Sequence, residues 1–140
     1  MRKILRFTFI PILLLAAVSG VIACSSTPTP TSTTPNVAAI RAYADPATET
    51  ALQGLSEHNL AKYTQYANSE FKAAVTQEIR DNTAAQINSQ LGSFVSIEFL
   101  RTEEQDGYTI VYYKAKYSRG EVGIRMVFDK DHLVAGQWFE

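Results

Sequence analysis

The sequence contains little cysteine and little net charge, and both shortages restrict what the protein is. Cys24 is the only cysteine among 140 residues, so the chain has no internal disulfide and no zinc site of the usual cysteine kind. The first 23 residues carry three of the 13 basic residues and none of the 14 acidic ones, which leaves a net charge of −4 on the remainder. This excludes the clustered positive charge that nucleic-acid binding requires.

Patterns for catalysis and metal binding are also scarce. The two histidines, His58 and His132, lie far apart in the sequence, whereas a metal site needs several ligands that converge on one point. No GxSxG motif marks a nucleophilic serine. Acidic residues group at the predicted turns 103–106 and 129–131, where carboxylates are normally solvated, while acid–base chemistry needs them in a pocket. We therefore expect a non-enzyme with no metal and no cofactor.

The one cysteine follows an apolar leader. Three basic residues precede an apolar run from Phe7 to Val18, which is typical of a secretory signal peptide. The segment Val21-Ile22-Ala23-Cys24 resembles a bacterial lipobox. The resemblance implies that residues 1–23 are removed and that a diacylglycerol on the Cys24 sulfur holds the protein to a membrane of the cell envelope, on its extracytoplasmic side. An ordinary signal peptide and an uncleaved anchor are the alternatives, although residues 7–23 are short against the ~20 residues that span a bilayer.

A spacer and one domain follow the cysteine. Residues 24–36 are rich in Ser, Thr and Pro, which favours an extended tether over a helix. At ~3.1 Å per residue, such a tether reaches roughly 35–40 Å. Residues 37–140 are enough for one folded domain with its own core.

Helix signals occupy the first half of this domain. Asp45 and Pro46 predict the start of a first helix, because Asp caps helices and Pro suits the first helical position. Asn59 predicts the cap of a short second helix. The apolar spacing from Phe71 to Leu91 predicts one long helix that ends at Gly92.

Strand signals fill the second half. After residue 92 the apolar period changes from about four to two, and turn signals occur at 105–107, 118–120 and 129–131. The fourth strand is predicted from His132 to Phe139. The order of elements predicts an α+β fold, with N-terminal helices packed on a curved four-stranded antiparallel sheet.

Several segments of this domain resemble a known family. They are HNLAKYTQYANSEFK (58–72), SQLGSF (89–94) and LVAGQWF (133–139), and they are similar to the family called domain of unknown function 3887. The resemblance extends from about Ala47 to Phe139 and implies a cystatin-like or nuclear-transport-factor-like α+β cone. It implies no chemistry, because the family has no motif with an assigned role.

Aromatic and arginine side chains are the candidates for a binding site. A cone lined by aromatic rings with a few polar groups is a common ligand pocket, which predicts a small hydrophobic or peptide ligand, with Arg101 or Arg125 facing inward toward an acidic group. The candidate ligand-binding residues are Tyr63, Tyr66, Phe71, Arg101, Tyr113, Arg125 and Trp138. A core filled by the same aromatic side chains is the alternative.

A second candidate surface lies on the other side of the second strand. Alternation places Tyr108, Ile110 and Tyr112 opposite to Val111 and Tyr113, and an apolar outer face of a sheet often marks a partner surface. Two hypotheses follow: a module that binds a small ligand or peptide in an aromatic cleft, or an interaction module that docks an envelope protein or forms a homodimer through this face. An isomerase- or hydrolase-like enzyme is the third.

Overall fold

Four helices precede four strands in residues 36–140, the part of the chain that the computed structural model describes. The predicted signal peptide, Cys24 and the linker up to residue 35 lie outside the described residues. The helices are α1 (Val37–Ser56), α2 (Leu60–Tyr63), α3 (Ser69–Ala74) and α4 (Gln77–Leu91). The strands are β1 (Phe94–Gln105), β2 (Tyr108–Tyr117), β3 (Gly120–Phe128) and β4 (Val134–Phe139). The predicted α+β class is confirmed. None of these helices is long and apolar enough to cross a membrane.

Helix α1 starts earlier than the sequence predicted. Asn36 caps it, because its side chain accepts the N–H of Ala39 at 3.2 Å. The alanine-rich segment that follows favours helix, so the helix is already formed when it reaches Pro46, which lies inside it. The predicted start at Asp45 was therefore wrong. The Asp45 carboxylate instead accepts hydrogen bonds from Arg41 at 3.0 Å and from the Tyr113 hydroxyl at 2.9 Å.

The predicted long helix from Phe71 to Leu91 is divided into α3 and α4. Val75 is extended, and the Thr76 hydroxyl accepts the N–H of Ile79 at 3.2 Å to begin α4. A β-branched residue followed by a capping residue favours this break over a continuous helix. Gly92 ends α4 as predicted, with a φ of 82°.

The sheet is an antiparallel meander in the order β1-β2-β3-β4. Asp106 and Gly107, both with positive φ, make the predicted β1–β2 turn. His132 also has a positive φ of 62° and belongs to the β3–β4 turn, so the predicted strand start at His132 was wrong. Two register shifts interrupt β1, between Phe94 and Ser96 and between Phe99 and Arg101.

The core lies between the inner face of the sheet and the helices. Its fully buried side chains come from alternate positions of β2 and β3 and from one face of α1; they include Ala44, Leu52, Val111, Tyr113, Ile124, Met126 and Phe128. Gly54 brings α1 and α2 together, since a Cβ there would overlap the backbone of Tyr63. Asn59 caps α2 as predicted, accepting the N–H of Lys62 at 3.0 Å.

Helix α1 crosses the inner face from one end of the strands to the other. Tyr43, near its start, packs edge-on against Phe128 and stacks on His132 with the ring centroids 4.0 Å apart. Ser56, at its end, accepts the N–H of Phe94 at 3.3 Å. The described chain therefore begins at the end of the sheet that carries the β1–β2 and β3–β4 turns.

The outer edge of β4 is partly covered by the chain between α2 and α3. Ala67 and Val134 form an isolated parallel bridge. The N–H of Asn68 donates to the Val134 carbonyl at 2.9 Å, and the N–H of Val134 donates to the Tyr66 carbonyl at 2.8 Å. This bridge fixes the helical half of the domain to the sheet edge.

Candidate functional site

Four side chains form a row across the outer face of the sheet, the face turned away from the helices. Arg101 is paired with Tyr112, Tyr112 with Arg125, and Arg125 with Trp138. The row thus takes one residue from each strand and alternates cationic with aromatic side chains. We call these four residues the outer row.

Each arginine of the outer row stacks on the aromatic ring of the next strand. The Arg101 guanidinium carbon lies 3.5 Å from the Tyr112 ring centroid, and that of Arg125 lies 4.6 Å from the Trp138 ring centroid. A cation–π contact contributes about 0.5–1 kcal/mol at an exposed site. The four side chains therefore support one another in fixed positions although they are reached by solvent.

Glutamates complete both pairs. Glu103 accepts the Tyr112 hydroxyl at 2.7 Å and Arg101 Nη1 at 2.6 Å. The hydrogen bonds from Tyr112 and Arg101 lower the pKa of Glu103, and the bond to Glu103 raises the pKa of Arg101. At the other pair, Arg125 Nε lies 3.3 Å from Glu140 Oε1. Each cation is held by a ring and a carboxylate.

Gly136 makes room for the indole of Trp138. A Cβ at Gly136 would overlap the six-membered ring of Trp138, so the ring lies directly over this glycine on the outer face. Trp138 is nevertheless 46% exposed. The strand thus holds a large aromatic surface toward solvent in one position.

The outer face as a whole, including the outer row, is partly apolar and has no net charge. Ile110 is paired with Val127, and Val127 with Gly136, which gives a short apolar stretch beside the outer row. Away from the hairpin tip, the face carries four cationic side chains and four anionic ones: Arg101, Lys114, Lys116 and Arg125, with Glu98, Glu103, Glu121 and Glu140. Such a face does not favour an anionic polymer over a cationic one.

A groove of about 550 Å³ opens at the end of the sheet that carries the turns. It lies between the start of α3 and the β3–β4 turn, with the exposed Tyr108 on its wall. The Asp129 side chain is fixed there: it accepts the backbone N–H groups of Asp131 and Leu133 and the Asn68 amide. Although burial opposes it, these bonds lower the pKa of Asp129. Within residues 36–140, no three His, Cys, Asp or Glu side chains are arranged to hold a metal ion.

Comparison with protein families identifies the domain. The family model described as protein of unknown function (DUF3887) matches residues 48–136, more than half of the chain. The chain belongs to the DUF3887 family. The family that the three sequence segments predicted is therefore confirmed.

A solved structure supports the fold of this DUF3887 domain. The chain is similar to a protein from Ruminococcus gnavus ATCC 29149 whose structure was determined by NMR, with a TM-score of 0.51 and 17% sequence identity. The match covers 72% of this chain and 88% of that one, and at this identity it shows the fold alone. No curated protein matches the chain.

The predicted ligand-binding residues of the DUF3887 domain do not form one site. Tyr63 and Tyr113 are buried, and Phe71 packs on Tyr63 with the ring centroids 6.1 Å apart. Burial raises the pKa of Tyr63 to about 12, and burial together with the Asp45 carboxylate raises the pKa of Tyr113. Tyr66 is exposed on the segment that bridges to β4. These side chains mainly fill or flank the core.

The other three predicted ligand residues point the opposite way. Arg101, Arg125 and Trp138 lie on the outer face, so the expected inward arginine was wrong. The reason for Arg101 is the register shift after Phe99: strict alternation from Phe99 would place Arg101 inside, and the extra residue turns it outward.

The predicted interface residues take the expected side of β2. Tyr112 joins the outer row, Ile110 lies beside it, and Tyr108 stands at the groove. Sequence reasoning missed Gly136 and interpreted Glu103 as a solvated turn residue. The signal for Glu103 was its spacing of two from Arg101, which puts both on one face of a strand.

Proposed function

We propose that this DUF3887 protein is a non-catalytic interaction module of the cell envelope and that it binds its partner through the outer face of the sheet. The observation that carries the proposal is the outer row. Trp, Tyr and Arg dominate binding energy at protein interfaces, and here they are placed together on one face, with Arg101 and Trp138 exposed and Tyr112 and Arg125 half-buried. Because stacking, the hydrogen bonds of Arg101 and Tyr112 to Glu103 and the Arg125–Glu140 ion pair already hold them, little side-chain freedom is lost on binding.

The proposal includes a lipid anchor. The lipobox-like segment before Cys24 supports a diacylglycerol on that residue, and the Ser/Thr/Pro-rich tether supports a domain held away from the membrane. Two acyl chains give stable anchoring, whereas one chain gives marginal binding. The module would thus face the extracytoplasmic side, where a partner protein is met at the membrane surface.

The acidic turn and the histidines support a non-catalytic interpretation. Both Asp129 oxygens accept hydrogen bonds that hold the β3–β4 turn, and His132 stacks on Tyr43. His58 contacts Asn88 at 3.3 Å on the helical side. Each of these groups has a contact that stabilises the fold, and they do not converge on one point.

A second candidate function uses the groove. Its volume falls within the ~300–1,000 Å³ of small-molecule sites, and Tyr108 offers an exposed ring on its wall. A small hydrophobic or peptide ligand would bind there, beside the outer face.

Photo-crosslinking in cells tests both candidates. The full chain would carry a photoreactive amino acid at Lys114 on the outer face, at Lys72 on the groove, or at the exposed Gln86 on α4 as the matched control. We expect protein adducts from Lys114, and their loss when Trp138→Ala is added. Adducts from Lys72 alone would favour the groove, and none from either position would contradict both candidates.

A further inference from the structure

We infer that the outer face binds a second copy of this chain, related to the first by a two-fold axis parallel to the strands. The inference rests on the proposed function, because it assigns an occupant to the same surface. A two-fold interface uses one patch twice, so the patch must complement itself.

The outer row meets this requirement. A two-fold axis parallel to the strands places β1 over the partner's β4 and β2 over the partner's β3, with each residue at the same height. The sequence Arg-Tyr-Arg-Trp then faces its own reverse. Arg101 lies opposite the partner's Trp138, and Tyr112 opposite the partner's Arg125, so every guanidinium meets a ring.

The cross-strand pairs on either side of the outer row are complementary to the partner copy as well. Ile110 and Val127 are paired across β2 and β3, so the axis places Ile110 opposite the partner's Val127. Lys116 and Glu121 are paired in the same way, so Lys116 lies opposite the partner's Glu121. At these two levels, apolar side chains face apolar side chains and cations face anions.

One corner opposes like charges. Glu98, on β1, lies opposite the partner's Glu140. Packed sheets are rotated by about 30° to each other, so their corners diverge and stay in water. Glu140 also lies near Arg125, which partly neutralises it. The repulsion between Glu98 and the partner's Glu140 is therefore weakened by solvent and destabilises the dimer little.

The alternative axis, perpendicular to the strands and centred on the outer row, is much less favourable. It places each strand over its own copy, so that Arg101 and Arg125 each oppose the same residue of the partner subunit. Like charges directly opposite each other are destabilising. The order of the outer row thus selects the axis parallel to the strands.

The area and the position of the N-terminus agree with this arrangement. Four strands at ~4.8 Å spacing and nine residues at ~3.3 Å give roughly 600 Å² of flat area, before the relief of the side chains is added, against about 800 Å² per partner in stable dimers. The parallel axis also brings both copies of Asn36 to the same end of the dimer. Two copies anchored in one membrane require this.

A charge exchange tests the occupant and the axis together. We would measure the mass of the full chain in detergent micelles by sedimentation across a concentration series. The wild type is expected to form a reversible dimer. Lys116→Glu and Glu121→Lys should each reduce dimerisation, because each variant places two pairs of equal charges across the interface. In an equimolar mixture, one copy of each variant restores two pairs of opposite charges, so dimerisation should recover.

Controls separate this result from misfolding. The matched exchange on the helical side, Lys62→Glu and Glu57→Lys, breaks a 2.9 Å ion pair away from the outer face and should leave the dimer unchanged. Tyr112→Glu should abolish the dimer, whereas Tyr66→Glu, at an exposed tyrosine on the segment that bridges to β4, should not. Circular dichroism would verify that each variant is folded.

The failure of this inference is distinguishable from the failure of the proposed function. If the mass stays that of one chain at all concentrations, the proposal that a second copy binds is wrong. If the mixture of variants dimerises no more than each variant alone, the proposed axis is wrong. If Lys114 then crosslinks to a different protein, the proposed function stands with another partner. An adduct of twice the chain mass supports the dimer.

Discussion

At the scale of single residues, Trp138 depends on the absence of a side chain two positions earlier. Replacing Gly136 with Ala would place a methyl group where the indole lies, so the ring would have to leave its position beside Arg125. We expect little change in the free energy of unfolding, because both residues are on the outer face. Trp138 is the only tryptophan, so its fluorescence spectrum should shift and report the displacement directly.

Gly123→Ala is the control for this change. It lies on the same face, and a Cβ there would meet Glu140 at 3.4 Å, an ordinary contact. If Gly136→Ala changes neither the fluorescence of Trp138 nor partner binding, the position of the indole does not depend on a glycine at residue 136.

Buried tyrosines make the stability of the fold sensitive to alkaline pH. Burial raises the pKa of Tyr63 and of Tyr117 to about 12, from 10 in an unfolded chain. Above pH 10 the unfolded chain therefore releases protons that the folded chain retains, and stability falls as pH rises from 10 to about 12. The loss is about 1.4 kcal/mol per pH unit for each group at most.

Alkaline unfolding monitored by tyrosinate absorbance measures this effect. Tyr117→Phe should flatten the fall in stability over this pH range, since its hydroxyl is buried and has no hydrogen-bond partner. An unchanged slope in that variant would contradict the assignment.

How far residues can be placed from sequence alone is clear on β1 and β2. Alternation correctly separated Tyr112 from Tyr113 on β2, because that strand keeps a regular register. The same rule failed for Arg101 because a bulge inserts one residue after Phe99. Nothing in the local sequence marks that bulge, which arises from pairing with β2.

At the scale of elements, Pro46 weakens α1. It has no N–H to donate to the carbonyl of Ala42, and its ring is exposed and contributes little packing. We expect Pro46→Ala to stabilise the domain by about 1–2 kcal/mol, because the gain of a helical hydrogen bond exceeds the lost stiffening of the unfolded chain.

Urea unfolding measures this change, and Glu49→Ala, an exposed substitution in the same helix, should change stability by less than about 0.5 kcal/mol. If Pro46→Ala destabilises instead, the local geometry at Pro46 is needed to position Asp45 against Tyr113, which are joined by a 2.9 Å hydrogen bond.

The elements themselves were largely predictable, and their boundaries were not. The change of apolar period at Gly92 separated helices from strands correctly. Asp45 and Pro46 led to a wrong predicted helix start. Such residues mark a helix start only where no helix has already begun, and Asn36 caps a helix that begins nine residues earlier. The break between α3 and α4 at Val75 and Thr76 was not predicted, because the helical spacing of apolar residues continues through it.

At the scale of the whole molecule, the proposed lipid anchor would determine where the outer face is presented. Cys24→Ser should move the full chain from the membrane fraction to the soluble fraction and abolish incorporation of labelled fatty acid. Ser25→Ala is the control and should leave both unchanged. If Cys24→Ser stays with the membrane, the apolar leader rather than a lipid holds the protein.

The two edges of the sheet limit how copies of this protein assemble. The bulges of β1 and the Ala67–Val134 bridge beside β4 leave neither edge with a long, regular row of free backbone groups. Growth into fibres by strand addition is therefore disfavoured even at high local concentration. In the proposed dimer, contact through the outer face would occupy that face on both copies, so assembly would stop at two chains.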